Sequence, residues 1–528
     1  MRAFDRPGRS PVYAENGMAA TSHPLATATA IDILKSGGNA VDAAIAAAAT
    51  LAVVEPHMTG IGGDCFAIVA EPNGKVHGLN GSGRAPAAAD AERVRALGHA
   101  MVPETGPLPV TVPGAVKAWE TLLEKLGTLP LDRLFTDAIR YGEDGFAIHP
   151  RVARDWPKCV DDLTQDEGGR LHCLTDGKAP AVGARWRFPA LAQTLRSIAG
   201  HGSKAFYAGE IAAEMAAIVQ AKGGFLAESD LAAVTADWVE PISVPYGGYD
   251  VLEIPPNGQG ITALILFNLL EKLKARNLPA DSSQRRHMML EAARLAYSVR
   301  DAMVADPAAM TVRVDDMLSP AFTDALARQF DPEHRNPNIV LPKRPNADTI
   351  YLTVVDRNRL TVSFINSLYD SFGCRIVTPK SGIALQNRGA CFTLEPGHPN
   401  EFGPGKRPMH TIIPAMALKG GRAAVSFGVM GGAFQPMGHA HVFSNLVDYG
   451  MDAQEAIDHP RLFEVEDHVV EVEAGIPDEM RADLRSRGHT LRDAASPLGG
   501  GQMIVIDEKS GFLIGGSDPR KDGAALGW

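Results

Sequence analysis

Asp348-Thr349 sets a threonine at the start of a strand pattern, directly after a proline-rich stretch. A threonine hydroxyl is a poor nucleophile unless a base sits beside it, and a threonine that becomes the amino terminus of a chain carries that base in its own α-amine. Such an amine has an ordinary pKa of about 7.7–8.0, so part of it is neutral at working pH and can take the Oγ proton. Freeing the amine requires cutting the peptide bond before Thr349. The hydroxyl can do this itself by attacking the Asp348 carbonyl, if the connector holds that bond strained and accessible. Most strand threonines only fit a pleated surface, so the pair alone leaves the structural reading open. A second element adds to it: Phe427-Gly-Val-Met-Gly431-Gly432 closes a predicted strand with paired glycines. Acyl transfer needs two donors aimed at a tetrahedral oxyanion, and residues without side chains let backbone N–H groups come close. Gly431 and Gly432 are the candidates, an ordinary glycine turn the alternative.

Other motifs carry less. Thr59-Gly-Ile-Gly-Gly-Asp64 follows a helical pattern and precedes the apolar run Cys65–Ala70, whereas a dinucleotide fingerprint follows a strand and opens a helix, so a structural turn is expected. His439-Ala-His441 lacks further ligands at helical spacing, which favours packing over metal binding. Cys65, Cys159, Cys173, Cys374 and Cys391 are odd in number without CxxC spacing, which suggests neither a disulfide framework nor a zinc ribbon, and fits a reducing compartment.

Elements must position these groups. Helical patterns cover Ala26–Leu34, Ala40–Val54, Val116–Lys125, Ile211–Ala221, Ile261–Ala275 and Met288–Met303, so the first half is expected to be mainly helical. Asp331–Asp348 carries Pro332, Pro337, Pro342 and Pro345 with no apolar period and reads as an exposed connector. Residues 349–356 and 360–366 alternate around Arg357-Asn358-Arg359 and predict a β-hairpin. Ala423–Val429 and Met503–Asp507 predict further strands, making the last third sheet-rich. The 528 residues are 45% apolar and 21% charged with net charge −11, a profile of neither a disordered nor a collagenous chain. The length exceeds what one core usually serves. The acidic balance, with no Lys/Arg-dominated run, argues against nucleic acid. The most apolar stretch, Ala40–Val54, is too short for a membrane span and contains Asp42. The amino terminus lacks an apolar signal core, so a cytoplasmic protein is expected.

In these motifs the chain resembles the γ-glutamyltranspeptidase family of N-terminal-nucleophile (Ntn) hydrolases over essentially its full length. The carriers are Gly37-Gly38-Asn39-Ala40-Val41-Asp42-Ala43-Ala44, the Gly60–Gly63 turn, the Asp348-Thr349 junction, Met430-Gly431-Gly432 and Ser517-Asp518-Pro519-Arg520. The resemblance implies an α+β fold, a four-layer αββα sandwich. It also implies autocatalytic cleavage into a large subunit, 1–348, and a small one, 349–528. Thr349 would be the nucleophile, oriented by Ser367 where the family usually has threonine. No cofactor or metal is implied; the partners would be a small amide substrate and the other subunit, and self-association into a homo-oligomer stays open.

Departures from the family bear on the substrate. Thr411 matches a pocket serine and His410 replaces a second. The family's arginine for the glutamyl α-carboxylate falls on Ser82, with Arg84 two residues on. Its acidic residue for the α-ammonium falls on Cys391, its asparagine on Tyr369, and Arg388, beside Asn387, replaces a glutamine. Losing a carboxylate and gaining a guanidinium favours a carboxylate over an ammonium. The pattern is closer to the oxamate amidohydrolase and cephalosporin-acylase-like branch. The expected activity is cleavage of a small carboxylate-bearing acyl amide, with the acyl carboxylate held by Arg84 or Arg388. The alternatives are γ-glutamyl transfer from glutathione and a catalytically silent binding protein.

Overall fold

The computed structural model describes residues 8–342, 348–466 and 468–528, without the Asp348 side chain; Pro345 of the predicted connector and residues 1–7 lie outside the described residues. Two seven-stranded antiparallel sheets form its centre. One runs edge to edge through Val12–Ala14, Leu513–Ser517, Gly500–Ile506, Arg422–Met430, Ala415–Lys419, Tyr249–Glu253 and Ile242–Tyr246. The other runs through Ala524–Gly527, Met18–Thr21, Asp348–Val355, Thr361–Tyr369, Asp64–Ala70, Val76–Gly81 and Asp237–Val239. The sheets face each other, with Asp348–Val355 and Thr361–Tyr369 packed on Arg422–Met430.

Helices cover both outer faces, as amphipathic or all-apolar helices must when they bury sheet surface. Ala40–Val54 lies under the sheet that carries Thr349 and is buried along all 15 residues, which is why its alternation-free alanine run is tolerated. Asn39 caps it through the Val41 and Asp42 N–H groups, and Asp42 returns to the Asn39 N–H, a capping box. Gly260–Lys272, Ser283–Met303 and Gln435–Tyr449 form the layer against the other sheet. This is the four-layer αββα sandwich with mixed helix and sheet that the family resemblance implies.

The predicted hairpin forms as Asp348–Val355 paired with Thr361–Tyr369, Ile350 opposite Asn366, with a register shift between Asp348 and Ile350. The helix-rich first half also supplies Asp64–Ala70 and Val76–Gly81, which extend the hairpin's sheet. The exposed-connector expectation is corrected for its first part. Arg335, Ile339 and Leu341 are buried. The buried Arg294 donates to the Asn336 and Ile339 carbonyls, and Glu291 accepts the Asn336 N–H at 2.8 Å. Proline removes donors from the connector, but the Asn336 N–H and the Asn336 and Ile339 carbonyls are met by buried charges from the Ser283–Met303 helix.

Candidate active site

Thr349 is fully buried, and its Oγ1 donates to Ser367 Oγ at 3.2 Å from the neighbouring strand. The same Ser367 oxygen accepts the Tyr369 N–H at 2.7 Å and Arg388 Nη2 at 3.3 Å. The chain then turns sharply. Tyr369, Phe372 and Arg375 hold φ of +82°, +52° and +67°. Left-handed non-glycine residues cost about 1–3 kcal/mol each and persist only where surroundings enforce them. Asn387 enforces this turn: its Oδ1 accepts the Asp370 N–H at 3.1 Å while its Nδ2 donates to the Glu104 carbonyl at 2.7 Å. Arg375 closes it by donating to Asp370 Oδ2 at 2.8 Å and to the Gly373 carbonyl at 2.7 Å.

Arg388 is buried behind Ser367. Its guanidinium lies 4.5 Å from the Tyr369 ring centroid, donates to Thr411 Oγ1 at 2.7 Å and sits 3.8 Å from Cys391 Sγ. Its Nε–H has no partner, and no carboxylate among the described residues pairs with it. Burial pushes the Tyr369 phenol well above its ordinary pKa, with Arg388 opposing the shift. His410 lies below Thr411. Burial, reinforced by Arg388, pushes its imidazole down to about 3. It is therefore neutral and donates Nε2–H to Asp64 Oδ2 at 3.0 Å, while its Nδ1 accepts the Ile412 N–H. Asp64 also gathers the Gly83 and Gly114 N–H groups and Gln386 Nε2. His410 thus braces the floor of the site.

Across from Thr349, Gly431 and Gly432 hold φ of +127° and +54°. A Cβ on Gly431 would come within 2.9 Å of Gly499 Cα. No backbone carbonyl among the described residues accepts either N–H. Gln259 fixes this loop to the rest of the site, donating Nε2–H to the Gly432 carbonyl at 2.9 Å and the Thr411 carbonyl at 2.6 Å, and receiving Arg300 at 2.8 Å. Tyr297 hydroxyl donates to the Ala433 carbonyl. Thr349, Gly431, Met58 and Gly499 open onto one cavity of about 340 Å³.

The structure brings Thr349, Ser367, Tyr369, Asn387, Arg388 and Thr411 together, with Gly431 and Gly432 opposite and His410 underneath. Arg84 is not among them. It lies half-exposed in a separate pocket, 3.4 Å from Asp306 and donating to the Gly405 carbonyl. Ser82 is buried and receives Asn257 Nδ2. The Gly60–Gly63 turn is structural: a Cβ on Gly63 would lie 2.2 Å from the Ser367 carbonyl, so glycine there lets the turn press against the strand carrying Ser367. His439 pairs with the buried Glu253 at 2.7 Å, away from the site. Sequence reading gave no site role to Asp64, at the end of the Thr59–Asp64 turn, or to Gln259, which follows the Pro255-Pro256-Asn257-Gly258 breaker cluster at a helix start; Arg375 stood out only as a departure from the family's usual glycine.

A buried strand-borne hydroxyl at a sandwich seam, a hydroxyl partner on the adjacent strand and a facing glycine pair define an Ntn-hydrolase architecture. A family model described as Gamma-glutamyltranspeptidase matches residues 26–528. The chain is 36% identical over 528 residues to the oxamate amidohydrolase proenzyme of Klebsiella pneumoniae, covering 97% of this chain and 98% of that one. It is 35% identical over 523 residues to the glutathione hydrolase-like YwrD proenzyme of Bacillus subtilis, with coverage of 97% and 98%. The crystal structure of a cephalosporin acylase from Bacillus halodurans superposes with a TM-score of 0.93 at 41% identity, covering 100% and 99% of the two chains. The chain belongs to the γ-glutamyltranspeptidase family. It is an autoprocessing Ntn amide hydrolase or acyltransferase, and the silent-scaffold reading falls. Among the described residues no helix is long and apolar enough to cross a membrane.

Proposed function

We propose that the protein cleaves itself between Asp348 and Thr349 into subunits 1–348 and 349–528, and then hydrolyses or transfers a small acyl group bearing a carboxylate. Thr349 Oγ attacks the amide carbonyl, the freed α-amine carries the proton to the leaving nitrogen, and the Gly431 and Gly432 N–H groups hold the oxyanion. Ser367 orients the nucleophile, and water or an amine resolves the acyl-enzyme.

The observation that carries the substrate assignment is Arg388. A buried guanidinium without a carboxylate partner is costly, by several kcal/mol in general, unless an anion completes it. Here it lies one hydroxyl away from the nucleophile, where an acyl carboxylate would sit. The related oxamate amidohydrolase is named for such an acyl amide. Arg84, already committed to Asp306, is the weaker of the two arginines. The Tyr369 and Cys391 positions offer no anion for an α-ammonium, which separates this reading from γ-glutamyl transfer proper.

A denaturing gel tests the first step. Mature protein should give two bands in place of one at 56.1 kDa, with the smaller beginning at Thr349 by terminal sequencing. Thr349→Ala should leave one band and no turnover, and Thr349→Ser some of each. Parallel assays on oxamate, a glutaryl amide, glutathione and a γ-glutamyl anilide test the second. Turnover of γ-glutamyl donors alone would overturn the carboxylate assignment.

A further inference from the structure

The proposed oxyanion loop turns on paired glycines, whose backbone angles change freely, so it keeps one shape only where other groups pin it. Three consecutive carbonyls of the loop are pinned. Gly431 accepts the Phe434 N–H at 3.0 Å, Gly432 accepts Gln259 Nε2 at 2.9 Å together with the Gln435 N–H, and Ala433 accepts the Tyr297 hydroxyl. In a trans peptide the C=O of one residue points opposite to the N–H of the next. Holding the Gly431 and Gly432 carbonyls therefore sets the directions of the Gly432 and Ala433 N–H groups.

Gln259 is the pin whose own state can change. It is fully buried, and its two N–H groups go to the Gly432 carbonyl and to the Thr411 carbonyl, the latter at 2.6 Å. A half-turn of the side-chain amide would set Oε1 against both carbonyls and lose both bonds. Arg300 stands against that rotation: its guanidinium, which can only donate, gives Nη1–H to Gln259 Oε1 at 2.8 Å. Arg300 is itself held. It is buried, its guanidinium lies 4.7 Å from the Tyr297 ring centroid, and its Nε donates to Asp301 Oδ1 at 2.7 Å. Tyr297 and Arg300 are i, i+3 neighbours on the Ser283–Met303 helix, so one helical turn serves two of the contacts.

We infer that Arg300 and Gln259 are positioning residues for the oxyanion: Arg300 locks the Gln259 amide, and Gln259 ties the Gly432 peptide to Thr411, the residue whose hydroxyl Arg388 grips at 2.7 Å. Neither touches the reacting atoms. This rests on the proposed oxyanion role of the loop and names what holds it. Gln259, Tyr297 and Arg300 precede Thr349 in the chain, whereas Thr411, Gly432 and Ala433 follow it. After the proposed cleavage, the small subunit's oxyanion loop therefore keeps its shape through the large subunit. Preorganisation of this kind is what makes backbone donors effective against a developing charge.

The experiment measures kcat, KM and inhibition by a boronic acid analogue of the acyl group, which forms a tetrahedral adduct on a nucleophilic hydroxyl. Rates are taken per cleaved protein, with the cleaved fraction read on a gel. Gln259→Met should lower kcat by about 30-fold, short of the roughly 10²–10³ lost with an oxyanion donor itself, and should weaken the analogue by a similar factor, with KM changed by about two-fold or less. Arg300→Met should cost about ten-fold and Arg300→Lys should recover most of it. The double Met variant should be no slower than Gln259→Met, because Arg300 acts through Gln259. Gln259→Glu keeps the side-chain shape and the Arg300 contact but loses both donors, so it should fold and still lose kcat where Gln259→Met is unstable. Losses that multiply in the double variant, losses confined to KM, full activity in Arg300→Met or a Gln259→Glu enzyme at full kcat would each overturn this inference, while wild-type turnover leaves the proposed function standing. A wild type that cleaves no amide would overturn both.

Discussion

The Arg388 guanidinium lies 3.3 Å from the Ser367 hydroxyl, the same oxygen that the Thr349 hydroxyl reaches at 3.2 Å from the adjacent strand. A buried cation and the Thr349 hydroxyl therefore share one intermediary, so an anion bound at Arg388 would adjust the hydrogen bond between Thr349 and Ser367. Ser367→Ala should slow both self-cleavage and turnover by about five-fold, the worth of one lost neutral hydrogen bond near 1 kcal/mol, measured by gel time course and single-turnover rates. Ser367→Thr keeps the hydroxyl and should retain most of the rate.

Arg388→Gln should lower kcat/KM for carboxylate-bearing acyl amides by about 100-fold, within the 2–5 kcal/mol range for truncating one partner of a buried charge pair. Rates on uncharged acyl amides should fall far less. Arg388→Lys should rescue only part, because a lysine cannot span Thr411 Oγ1, Ser367 Oγ and a carboxylate with one planar fork. Initial rates on paired substrates decide this, and an equal loss on both classes would count against a role in recognition.

Arg294 ties the connector down 10 to 13 residues before Thr349, through the Asn336 and Ile339 carbonyls. Anchoring the chain this close to the proposed cleavage bond should favour its cutting. Arg294→Met frees those carbonyls and should slow self-cleavage of the precursor by ten-fold or more, with an accompanying fall in thermal stability because Glu291 loses its buried partner and Glu464 keeps only Arg335 at 3.6 Å. Turnover by protein assembled from separately produced 1–348 and 349–528 chains should change little. Precursor accumulation on a gel reads the first effect and steady-state rates the second.

Local pattern was enough for some of this and not for the rest. The hairpin was legible because Ile350, Leu352 and Val354 alternate with polar neighbours, and the junction because prolines stop just short of it. The Gly431-Gly432 pair was legible as residue types, but the reason for glycine, Gly499 Cα at 2.9 Å, comes from a segment some 70 residues away. Cys65–Ala70 was visible only as an apolar run, since a strand buried on both faces has no alternation to display. The connector's anchoring was hidden because its partners, Glu291 and Arg294, look like solvated helix charges until the fold buries them. Gln259 joins Thr411 to Gly432 across separations of over 150 residues, and Lys158 meets the Thr349 cavity from a short helical turn with no motif at all. Chemistry on one strand is readable from its neighbours in sequence; a pocket's charge is set by which distant loops converge.

Gly431→Ala adds a methyl where Gly499 Cα already stands and asks an alanine to hold φ of +127°. Something in the oxyanion loop must shift. Removing one oxyanion donor costs about 10²–10³ in kcat in acyl-transfer enzymes, and a displaced loop should approach that loss with little change in KM. The thermal midpoint should move by only a few degrees, since Gln259 and Tyr297 still hold the Gly432 and Ala433 carbonyls. A fall in KM-dependent terms alone would contradict an oxyanion role.

Acid should unfold the protein earlier than its carboxylates require. His410 and His489 are both pushed down to about 3, His410 by burial and Arg388, His489 by burial and the nearby His287, Arg294, Arg335 and Arg487. The sign follows from proton binding. Between pH 6.5 and 3 the unfolded chain protonates each imidazole and the folded chain does not, so the unfolded state binds more protons and stability falls as pH falls. Each group contributes a slope of about 1.4 kcal/mol per pH unit inside that window and nothing above it. Urea midpoints measured from pH 7 to 4 should therefore be flat near 7 and then decline steeply. His489→Gln, which cannot take a proton, should lessen the slope by about one such increment while leaving the pH 7 midpoint lower by the lost 2.9 Å bond to His287. A variant with an unchanged slope would place the acid sensitivity in other groups.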